Sequence, residues 1–245
     1  MEMSSANASV NAFDETRSVG EIVAERISRA AVLEKYGIDY CCGGSTPFGE
    51  ACSKVGTPIL EVISALRESD SSGDAKDEID CTLLSLTDLC NHIEETHHAY
   101  MKRTLPRLTT LVANTLNAHG ANHPDLNDVA DTYTALKTEI EAHLMKEEQV
   151  LFPIIRNFEA DGALPQIGCG VASPIRQMEH EHDNAGEALR RLRRLTNGYT
   201  PPADACNTYR AMLDTLAEME ADLHLHIHKE NNILFPSAIE ITSGC

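Results

Sequence analysis

Residues 143–153 read His143-Leu-Met-Lys-Glu147-Glu-Gln-Val-Leu-Phe-Pro, and residues 226–236 read His226-Ile-His-Lys-Glu230-Asn-Asn-Ile-Leu-Phe-Pro. The second stretch begins 83 residues after the first. A His-x-x-x-Glu spacing places both side chains one helical turn apart, on the same face of a helix. Two such faces brought together can hold metal ions, so these two stretches decide the fold and direct the search for function.

The composition favours an all-α protein. Of its 245 residues 42% are hydrophobic, which is enough for a packed core, whereas aromatic residues are scarce and Trp is absent. The formal net charge of −18 would repel nucleic acid and anionic membranes, so neither is predicted as a partner. No secretory signal and no spanning run of roughly 18 apolar residues is found. Eight unevenly spread cysteines indicate reduced thiols, and we expect a cytoplasmic protein.

The chain is predicted to have four parts. We expect residues 1–17 to be disordered, 18–67 to form a small helical domain, 68–80 to be a linker and 81–245 to form a helical bundle. In the small domain, a capping-box spacing predicts that a helix begins at Ser18 and ends at Gly37. A second helical stretch is predicted near residues 58–66.

The bundle region is predicted to contain four long helices joined by short connections, which favours an antiparallel arrangement. These helices are placed near residues 82–118, 126–158, 172–197 and 204–240. Three prolines fall inside the pattern and are expected to kink or end their helices: Pro106, Pro153 and Pro236.

Histidines and glutamates occupy core positions of these helices. In both repeats they continue an apolar stripe at three- to four-residue spacing, and His98 and His182, 84 residues apart, do the same on the other two helices. Burying two carboxylates without a cation costs several kcal/mol, which a metal pair offsets. The predicted ligands, suited to non-haem iron or manganese, are His98, His143, Glu147, His182, His226 and Glu230.

A rival ligand set comes from Glu95-x-x-His98 and Glu179-x-x-His182, which have the spacing of ferritin-like di-iron sites. With Glu147 and Glu230 they would supply four carboxylates and two histidines. The histidine-rich set is preferred because both ligand types repeat in register. Glu95 and Glu179 are then expected to contact the ligands rather than the metal, or to line an access path. The other histidines and the nearby Glu139, Glu141 and Glu181 are interpreted as solvated or second-shell residues.

A pair of adjacent cysteines, Cys41 and Cys42, precedes two glycines. Neighbouring cysteines do not easily close a relaxed disulfide with each other, but they can exchange with partners or bind a soft metal. The glycines are expected to leave the thiols accessible. Ordinary turn and core thiols are the alternative interpretation.

Together these motifs resemble those of the RIC (repair of iron centres) family, the ScdA/YtfE/DnrN/NorA group, whose hemerythrin-like domain follows a small cysteine-motif domain. The resemblance spans roughly residues 18–240 and rests on Tyr40-Cys-Cys-Gly-Gly44, residues 143–153, Met178-Glu-His-Glu-His-Asp-Asn-Ala-Gly186 and Glu230-Asn-Asn-Ile-Leu-Phe-Pro236. It implies a hemerythrin-like antiparallel four-helix bundle with an oxo- and carboxylate-bridged pair of non-haem irons. The four histidines would be terminal ligands, and Glu147 and Glu230 would bridge.

The resemblance also implies that the protein repairs iron–sulfur clusters damaged by nitrosative or oxidative stress, by delivering iron, by removing nitric oxide at the iron pair, or by both. The expected partners are damaged iron–sulfur proteins, with nitric oxide or oxygen as small ligands. The sequence leaves the oligomeric state open between a monomer and a homodimer. Two other functions remain open: a nitric oxide scavenger or carrier, and an enzyme that reduces nitric oxide at the iron pair. No equivalent of the fifth histidine and bridging aspartate of oxygen-carrying hemerythrins is found, which argues against reversible oxygen transport. The stretch 45–51 departs from the family pattern.

Overall fold

A computed structural model describes residues 13–71, 79–161 and 171–242. Within these ranges the backbone is helical, with one isolated β-bridge and no strand, so the prediction of an all-α protein is confirmed. None of the helices in the described ranges is long and apolar enough to cross a membrane. The chain divides into two compact units, residues 1–85 with 227–237 and residues 86–226 with 238–245.

Parts of the predicted disordered and linker segments are described. Residues 13–17 form a turn that buries Phe13, and residues 68–71 belong to a helix. The remaining residues of the predicted disordered segment, 1–12, lie outside the described part of the chain. So do residues 72–78 of the predicted linker, whereas residues 79–80 are described. Cys169 and Cys245 also lie outside it.

The first unit contains a 3₁₀ turn at Cys81–Leu83 and, between residues 13 and 71, four short α-helices. They are α1 (Val19–Ala24), α2 (Arg29–Lys35), α3 (Phe48–Lys54) and α4 (Ile59–Ser71). The predicted capping box is confirmed: the Ser18 hydroxyl accepts from the Glu21 N–H, and the Glu21 carboxylate accepts from the Ser18 N–H. The predicted stop also holds, because Gly37 has a φ of 70°.

A single helix from Ser18 to Gly37 was the wrong prediction, since the chain turns between α1 and α2. The turn places the Arg29 guanidinium in the interior, where it donates 2.9 Å to the Ile22 carbonyl oxygen at the end of α1. The same group makes two hydrogen bonds to Asp70, of 3.1 and 2.9 Å, and one to Glu25. The buried guanidinium thus has four hydrogen-bond acceptors, and these contacts stabilise the turn that interrupts the predicted helix.

Residues 86–161 and 171–242 contain four long helices, numbered here as bundle helices 1 to 4. Helices 1, 2 and 4 each contain a π-helical turn between two α-helical segments, whereas helix 3 is α-helical throughout. Bundle helix 1 is Leu86–Ile93, Glu94–His98 and Ala99–His119; helix 2 is Leu126–Lys146, Glu147–Leu151 and Phe152–Asp161; helix 3 is Ala172–Leu195; helix 4 is Asn207–Lys229, Glu230–Leu234 and Phe235–Thr242. The predicted antiparallel bundle of four helices is confirmed, with ends shifted by a few residues.

The apolar stripes predicted from the sequence are buried. On bundle helix 2 the stripe is at most 7% exposed at every position: Val129, Tyr133, Leu136, Ile140, His143, Glu147 and Leu151. On bundle helix 4 the corresponding residues are equally enclosed: Met212, Leu216, Met219, Leu223, His226, Glu230 and Leu234. Histidine and glutamate therefore lie in the core in line with apolar side chains.

The π turns explain why the prolines do not end these helices. Pro153 and Pro236 are each the second residue of the α-helical segment that follows a π turn. A proline ring clashes with the preceding turn of a regular helix and lacks the N–H that would bond to it. The wider π turn accommodates both defects, so both helices continue. Pro106 lies inside the segment Ala99–His119, which also continues. Of the two outcomes expected for these prolines, a kink or the end of the helix, the second was wrong.

Candidate metal centre

The six predicted ligands converge in two groups that share two glutamates. In each group, one ligand atom from every member lies within 4.8 Å of the others. One group is His98, Glu147, His226 and Glu230; the other is His143, Glu147, His182 and Glu230. All six side chains are buried, and both glutamates have no exposed surface.

The imidazole rings meet in pairs, one pair in each group. Nε2 of His98 lies 3.2 Å from Nε2 of His226, and Nε2 of His143 lies 3.1 Å from Nε2 of His182. Both pairs join helices far apart in sequence, bundle helix 1 with 4 and bundle helix 2 with 3. Each pair therefore presents two nitrogen donors to one point in the core.

The Glu147 carboxylate lies between the two imidazole pairs. Its Oε1 is 3.1 Å from Nε2 of His143, and its Oε2 is 3.4 Å from Nε2 of His98. Each oxygen thus faces a different pair, as a carboxylate does when it bridges two ions. Imidazole nitrogens and carboxylate oxygens are a donor set that suits non-haem iron, so the residues fit the metal.

His98 is oriented by a carboxylate from the next helix. Its Nδ1 lies 2.8 Å from Oε1 of Glu148, and Lys102 donates to both oxygens of that carboxylate, at 2.6 and 2.7 Å. Burial alone would raise the pKa of Glu148, but the hydrogen bonds from Lys102 and His98 outweigh burial and lower this pKa. An ionised Glu148 accepts the Nδ1–H of His98 and leaves its Nε2 lone pair for a metal.

His143 is oriented in the same way by Glu181. Its Nδ1 lies 2.8 Å from Oε2 of Glu181, whose other oxygen accepts hydrogen bonds from Lys146 and, at 2.9 Å, from Gln177. Burial alone would raise the pKa of Glu181, but the hydrogen bonds from these three residues outweigh burial and lower this pKa to about 2. Of the two interpretations open for Glu181, contact with a predicted ligand is the correct one, because Glu181 lies against His143. Glu148 was not identified from the sequence.

His97 is a further core histidine that the sequence did not single out. Its ring stacks on that of His226 at 5.4 Å between centroids and 5° between planes, and its Nδ1 lies 3.0 Å from Oδ1 of Asp222. The adjacent positions 97 and 98 both point inward because they fall in the π turn Glu94–His98, where more residues make up one turn.

The same π turn bears on the rival ligand set. Glu95 is exposed and Glu179 half-buried, and neither belongs to the two groups of converging ligand atoms. In an α-helix Glu95 would share a face with His98, but the wider π turn rotates residues three apart away from each other.

The cysteine pair lies in a tight turn after α2. Oδ1 of Asp39 accepts from the backbone N–H of Cys41, Cys42 and Gly43 at 3.0–3.1 Å. The two Sγ atoms are 3.9 Å apart. The hydrogen bond with the Cys42 thiol and burial together raise the pKa of the Cys41 thiol. Cys41 is 6% exposed, so accessibility of both thiols was the wrong expectation; Cys42 is half-buried.

Two side chains of residues 227–237, which belong to the same unit, hold the backbone of this turn. Asn232 donates through Nδ2 to the carbonyl oxygens of Tyr40 and Cys41, at 3.3 and 3.1 Å. His228 is fully buried, with Nδ1 3.3 Å from the Tyr40 carbonyl oxygen and its ring edge-on to that of Tyr40. Glycine is needed at position 44, because a Cβ there would lie 2.0 Å from Oδ1 of Asn232.

We expect Gly44→Ala to destabilise the first unit by about 1–3 kcal/mol, the usual cost of overpacking. The added methyl group must displace Asn232 and break its hydrogen bonds to the cysteine turn. Hydrogen exchange of the amides in α1 and α3 measures the effect. In an Asn232→Ala background the same glycine substitution should cost much less; an equal cost in both backgrounds would show that the clash is not the cause.

Comparison with known proteins gives two family matches. Residues 90–238 match the Hemerythrin family, described as the hemerythrin HHE cation binding domain, and residues 15–70 match ScdA_N, described as a domain of unknown function (DUF542). The first match covers more than half of the chain, and it includes all six predicted metal ligands. The second includes the cysteine pair.

Whole-length relatives share both parts. The chain is 34% identical over 225 residues to the iron-sulfur cluster repair protein YtfE of Musicola paradisiaca, covering 91% of this chain and 96% of that protein. It is 33% identical to a probable iron-sulfur cluster repair protein of Haemophilus influenzae, with the same coverage of each chain. It is 35% identical to YtfE of Escherichia coli O157:H7, covering 90% and 96%. The chain therefore belongs to the RIC family, in which an ScdA-type N-terminal domain precedes a hemerythrin HHE domain.

Proposed function

We propose that this chain holds two non-haem irons and repairs iron–sulfur clusters damaged by nitrosative or oxidative stress. The observation that carries the iron pair is the position of Glu147, whose two oxygens face two different imidazole pairs. The repair function is supported by relatives that are named for iron-sulfur cluster repair and match this chain over nearly their whole length.

The proposed ligands divide between two ions. His98 and His226 hold one iron, His143 and His182 hold the other, and Glu147 bridges them. Glu230, one helical turn beyond His226, is the second bridge. Four neutral imidazoles and two carboxylates leave each iron without a full protein ligand set, so each keeps an open position.

The chain's own residues give this centre three properties. The buried carboxylates balance the charge of the cations, which would otherwise not enter an apolar core. Glu148 and Glu181 hold the Nδ1 protons and fix the direction of the Nε2 lone pairs. The apolar stripes above and below keep bulk water out. When bound, ferrous iron supplies a position for nitric oxide and an ion that can be transferred to a damaged cluster.

We place this function in the cytoplasm, where iron–sulfur proteins meet nitric oxide. In support, the eight cysteines are spread unevenly along the chain, which is typical of reduced thiols rather than of a disulfide framework. The proposed acceptors are damaged iron–sulfur proteins.

The test begins with protein purified without oxygen. Metal analysis and Mössbauer spectroscopy should give two irons per chain, and the two should be magnetically coupled when they are oxidised. When the irons are reduced, one equivalent of nitric oxide per iron should give the spectra of iron nitrosyls. The loaded protein is then mixed with a cluster-depleted acceptor, whose activity and iron content should rise. Iron binding without transfer, but with stoichiometric nitric oxide uptake, would identify a scavenger instead, and nitrous oxide formed in many turnovers would identify a reductase.

Removing either orienting carboxylate should weaken iron binding without abolishing it. We expect Glu148→Gln and Glu181→Gln each to lower iron affinity by about 10–100-fold, the usual effect of losing a partner of a metal-bound histidine. Chelator competition on the full chain measures this. Glu139→Gln is the matched control, because Glu139 is exposed on bundle helix 2 and carries the same charge. Equal affinities in all three variants would contradict the orienting role.

A further inference from the structure

A second cluster of metal-ligating side chains lies where bundle helix 1 ends and bundle helix 4 begins. Ligand atoms of His119, His123 and Asp204 lie within 4.8 Å of one another. None of the six proposed iron ligands takes part. His119 follows His98 by 21 residues, which corresponds to about 30 Å along a helix axis.

The local backbone sets the direction of the two histidines. The N–H of His123 donates 2.9 Å to the carbonyl oxygen of His119, so the helical turn continues past the last regular residue and places both rings on one side. The ring of Tyr209 contacts both, with centroids 5.3 Å from His119 and 5.8 Å from His123. The rings are therefore held by packing as well as by the turn.

The acidic member faces this pair from the segment before bundle helix 4. Nε2 of His123 lies 3.0 and 2.9 Å from the two carboxylate oxygens of Asp204. The alternative interpretation is an ordinary surface ion pair, which contributes little to stability. An ion pair between His123 and Asp204 does not explain why a ligand atom of His119 also lies close to both. A thiol, that of Cys206, follows Asp204 by two residues.

The thiol is that of Cys206, just before the first residue of bundle helix 4. Cys206 lies two residues after Asp204, and metal binding displaces the proton of a thiol ligand, so this side chain can supply a thiolate to an ion held by the other three. Cys206 and Asp204 are exposed, so an ion can enter from solvent.

We propose that His119, His123, Asp204 and Cys206 form a second metal site, specific for Zn²⁺. Two imidazoles, one carboxylate and one thiolate are the donor types of tetrahedral zinc, whereas the thiolate disfavours Mg²⁺ and Ca²⁺. Bound Zn²⁺ joins the end of bundle helix 1 to the start of bundle helix 4. The three converging residues form the preassembled part of the site, and Cys206 closes it as the fourth ligand.

The test uses the full-length chain already loaded with iron, so that the iron centre is filled. Zn²⁺ added to this protein should bind at one ion per chain and raise its unfolding temperature. The double variant His119→Gln/His123→Gln should lose both effects while keeping its iron. Asp204→Asn should weaken Zn²⁺ binding, whereas the control Asp214→Asn, an exposed residue of bundle helix 4, should leave it unchanged.

Co²⁺ in place of Zn²⁺ tests the thiolate. The native chain should show a thiolate-to-cobalt charge-transfer band, and Cys206→Ser should lose the band while still binding the ion more weakly. The proposal is overturned if the native chain takes up no Zn²⁺ beyond its iron, or if the double histidine variant binds Zn²⁺ as the native chain does. A charge-transfer band that persists in Cys206→Ser would remove that residue from the site.

Discussion

Replacing Glu147 by leucine is expected to lower the iron content from two ions per chain to one or none. Glu147 is the side chain whose two oxygens face the two imidazole pairs, Oε1 at 3.1 Å from His143 and Oε2 at 3.4 Å from His98. Its loss removes the proposed bridge and one negative charge from the core. Mössbauer spectroscopy and metal analysis of the anaerobically purified variant measure the change.

A stability measurement separates loss of a ligand from misfolding. Without metal, a fully buried carboxylate is costly, and leucine at this position removes that cost while keeping a similar volume in the core. The metal-free variant should therefore unfold at the same temperature as the metal-free native chain, or higher. Lower iron with equal or greater stability would identify Glu147 as a ligand.

The matched controls are Glu95→Leu and Glu179→Leu, which remove the carboxylates of the rival ligand set. Glu95 is exposed and Glu179 half-buried, so both variants should keep two irons. If instead Glu147→Leu kept two irons and a control variant lost one, the histidine-rich ligand set would be refuted. The ferritin-like set would then replace it.

The bundle core could be predicted from the sequence because it depends on periodicity alone. The stripes through His143 and His226 repeat every three to four residues, and any helix with that pattern buries them. The convergence of His98 and His182 followed from the same argument. Six side chains in register therefore indicated one site before any contact was known.

The π turns could not be predicted, because the sequence pattern does not distinguish them from α-helix. They follow from tertiary packing: Glu94–His98 turns both His97 and His98 inward, and in doing so it rotates Glu95 away. Periodicity also could not predict which residues orient the histidines of the site. Glu148 and Glu181 act across helices, and nothing in their own helices distinguishes them from solvated glutamates.

In the first unit, the break between α1 and α2 depends on one buried cation. Arg29 finds its partners in Asp70, 41 residues further on, and in the end of α1, so local propensity favoured a continuous helix. The burial of Cys41 has a similar origin. Its carbonyl oxygen is held by Asn232, a residue 191 positions away in the chain.

Replacing both cysteines of the pair, Cys41→Ser with Cys42→Ser, is expected to lower cluster repair to the level of a reaction without the protein. The proposed iron ligands are untouched, so iron content and nitric oxide binding should stay unchanged. Recovery of a damaged iron–sulfur enzyme measures repair, and optical spectroscopy of the same samples measures nitric oxide binding. This variant therefore separates repair from scavenging.

The two thiols should not contribute equally. Cys41 is buried, and hydrogen bonding to the neighbouring thiol together with burial raises its pKa, so it remains protonated at neutral pH. Thiolates, not thiols, exchange and bind metals, so the more exposed Cys42 should react first. Cys42→Ser alone should then lose most of the repair, and alkylation of the native chain should label Cys42 before Cys41.

Cys52→Ala is the matched control, because Cys52 is a buried thiol of the same unit outside the pair. It should repair as the native chain does. If repair and nitric oxide binding both survive in the double serine variant, the pair has no role in either. If both are lost together with iron, the pair acts through the fold: the turn that carries it bonds to Asn232 and His228, on the segment that also carries Glu230. Only loss of repair alone supports a chemical role for the thiols.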